Sequence, residues 1–143
     1  LKGVFIMSDG VHGHGATLVS TTSAGTVGNI LSINVGGQTR DAIDISTMSS
    51  TSKFREFISG MADAGEITVE VNYDGTTSAV ATAIQSDYVG GTTGNWTITY
   101  SGTAVSIYAC SGFITNLGTA VPFEDKITQS LTIKLTGLPT FTA

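Results

Sequence analysis

His12 and His14, separated by Gly13, are the first side chains in this chain whose types and spacing could do chemistry. In an extended segment they would point the same way and offer two imidazole ligands to a metal. No cysteine or carboxylate cluster lies nearby to complete the shell, and the surrounding glycines read better as a polar linker. Cys110 is the single cysteine, so no internal disulfide is available. It sits in the apolar run 105–114 with no neighbour to lower its pKa, which describes a small buried hydrophobe. Asp41 and Asp44 are three apart and would face opposite sides of a strand, and the adjacent Glu124 and Asp125 read as a turn. Gly13-His14-Gly15-Ala16-Thr17 lacks the spacing and the lysine of a phosphate loop. Trp96, Tyr100 and Tyr108 could stack on sugars if exposed together, but they lie in apolar strand runs that favour core packing. These residues assemble no catalytic set, cofactor site or metal site.

The elements that must position them are mostly strands. Residues 8–25 show no sustained period and read as an arm. Residues 27–35 alternate as a strand, Gly36-Gly37 breaks it, and residues 40–46 return as a second strand. Asp44, Ser46, Thr47 and Ser49–Ser52 are short oxygen-bearing side chains of the kind that cap helices. Phe54, Phe57, Ile58 and Met61 then recur at three- and four-residue spacing, predicting an amphipathic helix over about 50–63 that packs these four side chains on the core. Residues 66–74 give the clearest strand signal. Ile67, Val69, Val71 and Tyr73 fall on one face, and Glu66, Thr68, Glu70, Asn72 and Asp74 on the other. Residues 76–88 predict a second helix with an Ala79, Val80, Ala83, Ile84 and Tyr88 stripe, ended by Gly90-Gly91. Strands follow over 96–100, 104–116 and 123–135, closed by Gly137 and Pro139.

The chain's 143 residues suit one domain, and charged residues are only 12% of them. Solubility must then rest on hydroxyls and amides, as in a β protein largely covered in an assembly. The net charge of −5 argues against tight nucleic-acid binding, which needs a basic patch. No apolar run approaches a membrane span. The fold class is therefore mainly β (α+β), an antiparallel β-sandwich or open barrel with an outer helix, divided into a 1–25 arm and a 26–143 domain. With few lysines and prolines to protect sheet edges, some edges are expected to pair with neighbouring subunits.

Three segments in this order, Ile43-Asp44-Ile45-Ser46-Thr47, Phe54-Arg55-Glu56-Phe57 with Gly60, and Gly65 to Tyr73, resemble the major tail tube proteins of long, flexible-tailed, lambda-like phages. The closing run Ile127 to Gly137 is similar to that family's last strand. The resemblance implies a structural virion protein whose inner sheets join into a hexameric ring barrel. Rings would stack into the hollow tail tube that conducts double-stranded DNA from capsid to host, without binding it specifically. It implies tail terminator, tape measure and tail tip proteins as partners, assembly in the host bacterial cytoplasm, and no enzymatic activity. Some members carry an added immunoglobulin-like domain, which is not expected in a chain stopping at Ala143. By position, the 1–25 arm and Gly36, Gly37, Gln38, Arg40 and Asp41 correspond to inter-ring contacts. The face bearing Glu66, Thr68, Glu70, Asn72 and Asp74 would line the lumen. Two other readings stand beside this one: a non-enzymatic β-sandwich adhesion or carbohydrate-binding module, and a related terminator, distal tail or secretion-tube ring protein.

Overall fold

The computed structural model describes residues 12–21, 25–73, 78–101 and 106–143. Its main sheet has seven strands, all antiparallel, in the order β2-β1-β7-β8-β9-β6-β3. The members are β1 (Thr17–Ser20), β2 (Gly25–Val27), β3 (Ile30–Val35), β6 (Glu66–Asn72), β7 (Gly94–Thr99), β8 (Ile107–Ala120) and β9 (Thr128–Thr142). A separate two-stranded ribbon joins β4 (Thr39–Asp44) to β5 (Phe57–Asp63), and the helix α1 (Ser78–Gly90) packs against β8 and β2.

Alternation selects the core. Ile67, Val69, Ile133, Leu18 and Ile98 are at most 1% exposed, and Trp96, Leu131, Leu135, Ile114, Tyr108 and Cys110 close around them. Ile84 of α1 completes the cluster, as its place in the helical stripe predicts, whereas Tyr88 is exposed and Ala79 and Val80 lie outside the described side chains. Gly112 is required where the core is tightest: a Cβ there would come within 2.5 Å of the Lys134 carbonyl, and the Trp96 indole donates to the Gly112 carbonyl at 3.3 Å.

Several expected boundaries move for identifiable reasons. Residues 17–20, read as part of an arm, form a core strand held between β2 and β7. The single strand expected over 27–35 is two, because Asn29 adopts a left-handed φ of 57° and carries the chain from one sheet edge to the other. A bulge between Ile30 and Ser32 then turns Leu31 outward, while Ile33 and Val35 pack on the core. Gly137 and Pro139 do not end β9. They sit where its register with β8 shifts, and pairing resumes from Thr140 to Thr142, since proline cannot donate to the ladder but is tolerated in a bulge.

The largest correction concerns residues 50–63, which form no amphipathic helix. Only Thr51–Lys53 makes a 3-10 turn, and residues 57–63 are the strand β5. Positive φ at Ser52 and Lys53 stops helical propagation. The strand expected over 40–46 is Thr39–Asp44, and it pairs with β5 and not with β3, whose partner is β6.

Candidate assembly surfaces

The strands β3, β6, β9 and β8 bring one polar surface together. On it Glu70 lies between Ser32 and Ser130, with Gly118 beyond; Thr68 lies between Asn34 and Thr132, with Asn116 beyond; and Glu66 faces Lys134, with Phe113 beyond. Glu66, Thr68 and Glu70 are exposed, as their alternation predicts, and Asn72 is half-buried. Asp74 lies outside the described residues. Sequence reading missed the lysine: Lys134, on the next strand, brings a cation into this face. Its ammonium bonds Asp63 at 2.8 Å, and Lys134 together with the Gly65 amide holds the Asp63 carboxyl below the usual carboxylate range. The face is thus dominated by hydroxyls and amides, with two glutamates and one lysine already engaged.

The second surface is the β4–β5 arm. β3 and β6 pair, the chain passes Gly36–Gln38 on one side and Ala64–Gly65 on the other, and β4 and β5 then pair with each other. Every residue of β4 is exposed, and so is every residue of β5 except Gly60. Gly37, Gln38, Arg40 and Asp41 are exposed along this base and first strand, while Gly36 is half-buried against Glu66. Arg40 donates to the Gly60 carbonyl at 3.1 Å.

The arm's tip is ordered by the hydroxyls that had suggested a helix cap. Asp44 accepts the Ser46 amide at 2.8 Å, and the Ser46 hydroxyl, with that amide, holds its carboxyl low; Ser46 Oγ accepts the Glu56 amide at 2.8 Å; and Ser50 Oγ donates to the Glu56 carboxylate at 3.0 Å. The four residues expected to pack on the core are outside it. Phe54 is 76% exposed and Met61 88%, with Phe57 and Ile58 about half-exposed. Ile43, Ile45 and Met48 are exposed as well, so the arm carries seven exposed large apolar side chains. Exposed apolar side chains gathered on one element are a candidate interaction site.

The remaining candidates disperse. Trp96 and Tyr108 are buried and Tyr100 packs near Phe141 with ring centroids 6.1 Å apart, so a sugar-binding module would lack its aromatic platform. Cys110 is buried, its thiol pushed up to about 11 by desolvation. His12 and His14 are exposed, and among the described residues no group of three His, Cys, Asp or Glu side chains converges.

The lambda phage tail tube protein family model matches residues 11–142, nearly the whole chain and all of the surfaces just described. The chain belongs to that family. It is a structural component of a tail tube, with the mainly antiparallel fold of that class. A search of curated protein sequences finds no match. Solved structures share the fold at low identity. A chain in the virion of a native gene transfer agent particle is 13% identical with a TM-score of 0.75, covering 94% of this chain and 100% of that one. A chain in the tail of an empty particle of this kind, refined helically with C6 symmetry, is 15% identical with a TM-score of 0.69, covering 90% and 94%. A chain in the sheath/tube terminator of an extracellular contractile injection system is 13% identical with a TM-score of 0.72, covering 94% and 98%.

Proposed function

We propose that copies of this tail tube protein close into six-membered rings, which stack into a hollow tube conducting double-stranded DNA from capsid to host. The observation that carries this reading is the division of the chain into a hydroxyl-rich, weakly acidic sheet face and a projecting apolar arm. The sheet also keeps two outer edges, β2 and β3, to which no described strand is paired. Neither edge strand contains a lysine or proline, so pairing with a neighbour is the economical way to satisfy their amides. The C6 symmetry of a structurally similar tail supports six copies.

The face bearing Glu66, Thr68, Glu70, Asn72 and Asp74 lines the bore in this reading. Six repeats of Glu66 and Glu70 would discourage phosphate from resting on the wall while the hydroxyls hold water. Unit charges about 4 Å apart interact by only about 1 kcal/mol in bulk water, and salt screens them over about 8 Å. The wall therefore acts locally and weakly, as passage without binding requires. Gly36, Gly37, Gln38, Arg40 and Asp41, at the base of the arm, serve inter-ring contact, whereas Leu18 and Ser20 of the 1–25 segment are buried in β1 and take no part in it. Terminator, tape measure and tail tip proteins would meet the ends of such a tube, which would assemble in the host cytoplasm; no catalytic role is assigned.

A second reading keeps the fold and makes the chain a terminal or secretion-tube ring, favoured by the similarity to a sheath/tube terminator. Light scattering and negative-stain microscopy of pure protein separate the two. Long hollow tubes support the tail tube role, isolated rings support the terminal one, and a strict monomer at high concentration contradicts both.

A further inference from the structure

The arm and the turn between β8 and β9 leave opposite ends of the same strands. β6 begins at Glu66 beside the arm base, where Gly36 meets the Glu66 carbonyl, and ends at Asn72 and Tyr73, where the Tyr73 amide bonds the Ile127 carbonyl at 3.0 Å. Seven residues separate the two ends by roughly 20 Å. The six-residue β4 gives the arm a similar reach of roughly 20 Å before its tip. The 121–127 turn is also apolar and exposed: Val121 is 70% and Phe123 99% exposed, next to Glu124, Asp125 and Lys126. The arm tip offers Phe54 flanked by Lys53 and Arg55, of which Arg55 lies 3.8 Å from Asp44.

We infer that the arm tip of one copy docks on the 121–127 turn of a copy in the adjoining ring. Phe54 packs on Val121 and Phe123, and Lys53 lies against Glu124 and Asp125. This rests on the tube reading and adds the receiving surface. Two different patches, one at each end of the subunit, form a heterologous contact that repeats without closing, so it sets the direction of tube growth. The match is also chemical: aromatic to aromatic at the centre, with the cation of one patch facing the two carboxylates of the other.

Disulfide trapping tests it. The double variant Lys53→Cys/Glu124→Cys is assembled and oxidised, with the two single variants as controls; native Cys110 is buried and protonated and stays silent. The expected result is a non-reducing gel ladder running past six copies, which collapses with reductant and is absent from the single variants. Tubes that give no ladder, or a series that stops at six because the link lies within a ring, overturn the contact. Should the double cysteine variant fail to fold, charge reversal replaces it. Lys53→Glu or Glu124→Lys alone should raise the critical concentration for tube formation by up to about fivefold at low salt, and the two together should restore it. Wild-type assembly by both single reversals overturns the contact while leaving the tube reading intact. Failure of the wild-type protein to form tubes overturns that reading, and this contact with it.

Discussion

Gly36 donates its amide to the Glu66 carbonyl at 2.6 Å, and at this bond the β3–β6 ribbon leaves the sheet and becomes the arm. No side chain fits the crossing. A Cβ on Gly36 would lie 2.9 Å from the Glu66 oxygen, and one on Gly65 would lie 2.8 Å from the Gly37 oxygen, at a φ of +85°. Gly65→Ala is therefore expected to lower stability by about 1–3 kcal/mol, combining left-handed strain with the clash. Thermal unfolding of the free subunit checks this, and Gly37→Ala, with open space around it, is the matched control.

Core and arm substitutions should separate folding from assembly. Trp96 is 2% exposed, so Trp96→Ala should cost about 3–5 kcal/mol and reduce soluble yield. Phe54 is 76% exposed, so Phe54→Ser should change subunit stability by no more than about 0.5 kcal/mol while abolishing tubes. Circular dichroism melts paired with negative-stain counts read both effects. Normal tubes from Phe54→Ser would show that the arm tip takes no part in assembly.

The residues on which sequence and structure disagree explain what was legible. The alternation in 66–72, the Ile84 stripe of α1 and the burial of Leu131, Ile133 and Leu135 were readable because one side of each element meets a core. The spacing of Phe54, Phe57, Ile58 and Met61 suggested a helix because apolar periodicity is informative only where a face is buried. On the arm these residues meet no core of their own chain, so their spacing records no local period. The hydroxyls of 46–52 misled for a related reason, since the same side chains that cap helices also bond turns, here the Ser46–Glu56 and Ser50–Glu56 pairs. Lys134 escaped notice as a partner of the acidic face because cross-strand register is invisible until β6 and β9 are paired.

Two titrations bound the pH range. Asp63 has a depressed pKa in the folded chain, so the stability it contributes is present above the ordinary carboxylate value of 3.8 and is lost as pH falls through the lower folded value. Hydrogen exchange at the Gly65 amide, corrected for intrinsic rates, should accelerate only below about pH 4. Cys110 shifts the other way: raised from 9.0 to about 11, its thiol contributes stability that is complete below pH 9 and lost as pH rises toward 11. Cys110→Ala should flatten that alkaline decline in a series of melts.

Charge on the wall should matter to passage more than to folding. Glu66 and Glu70 are exposed, so Glu66→Lys/Glu70→Lys should leave the subunit's melting temperature nearly unchanged. In particles built from this variant, DNA ejection should slow, most visibly at low salt, where screening is weakest. Ejection at the normal rate at every salt concentration would place these glutamates away from the bore.

Whether Glu66, Thr68 and Glu70 face a channel is decided by a cryo-electron microscopy reconstruction of tubes assembled from the pure protein. The expected map is a hollow tube of six-membered rings, with Glu66, Thr68 and Glu70 facing the channel and the β4–β5 arm crossing to the next ring. A tube whose channel is lined by another surface, with those three side chains on the outside or buried between subunits, would contradict it.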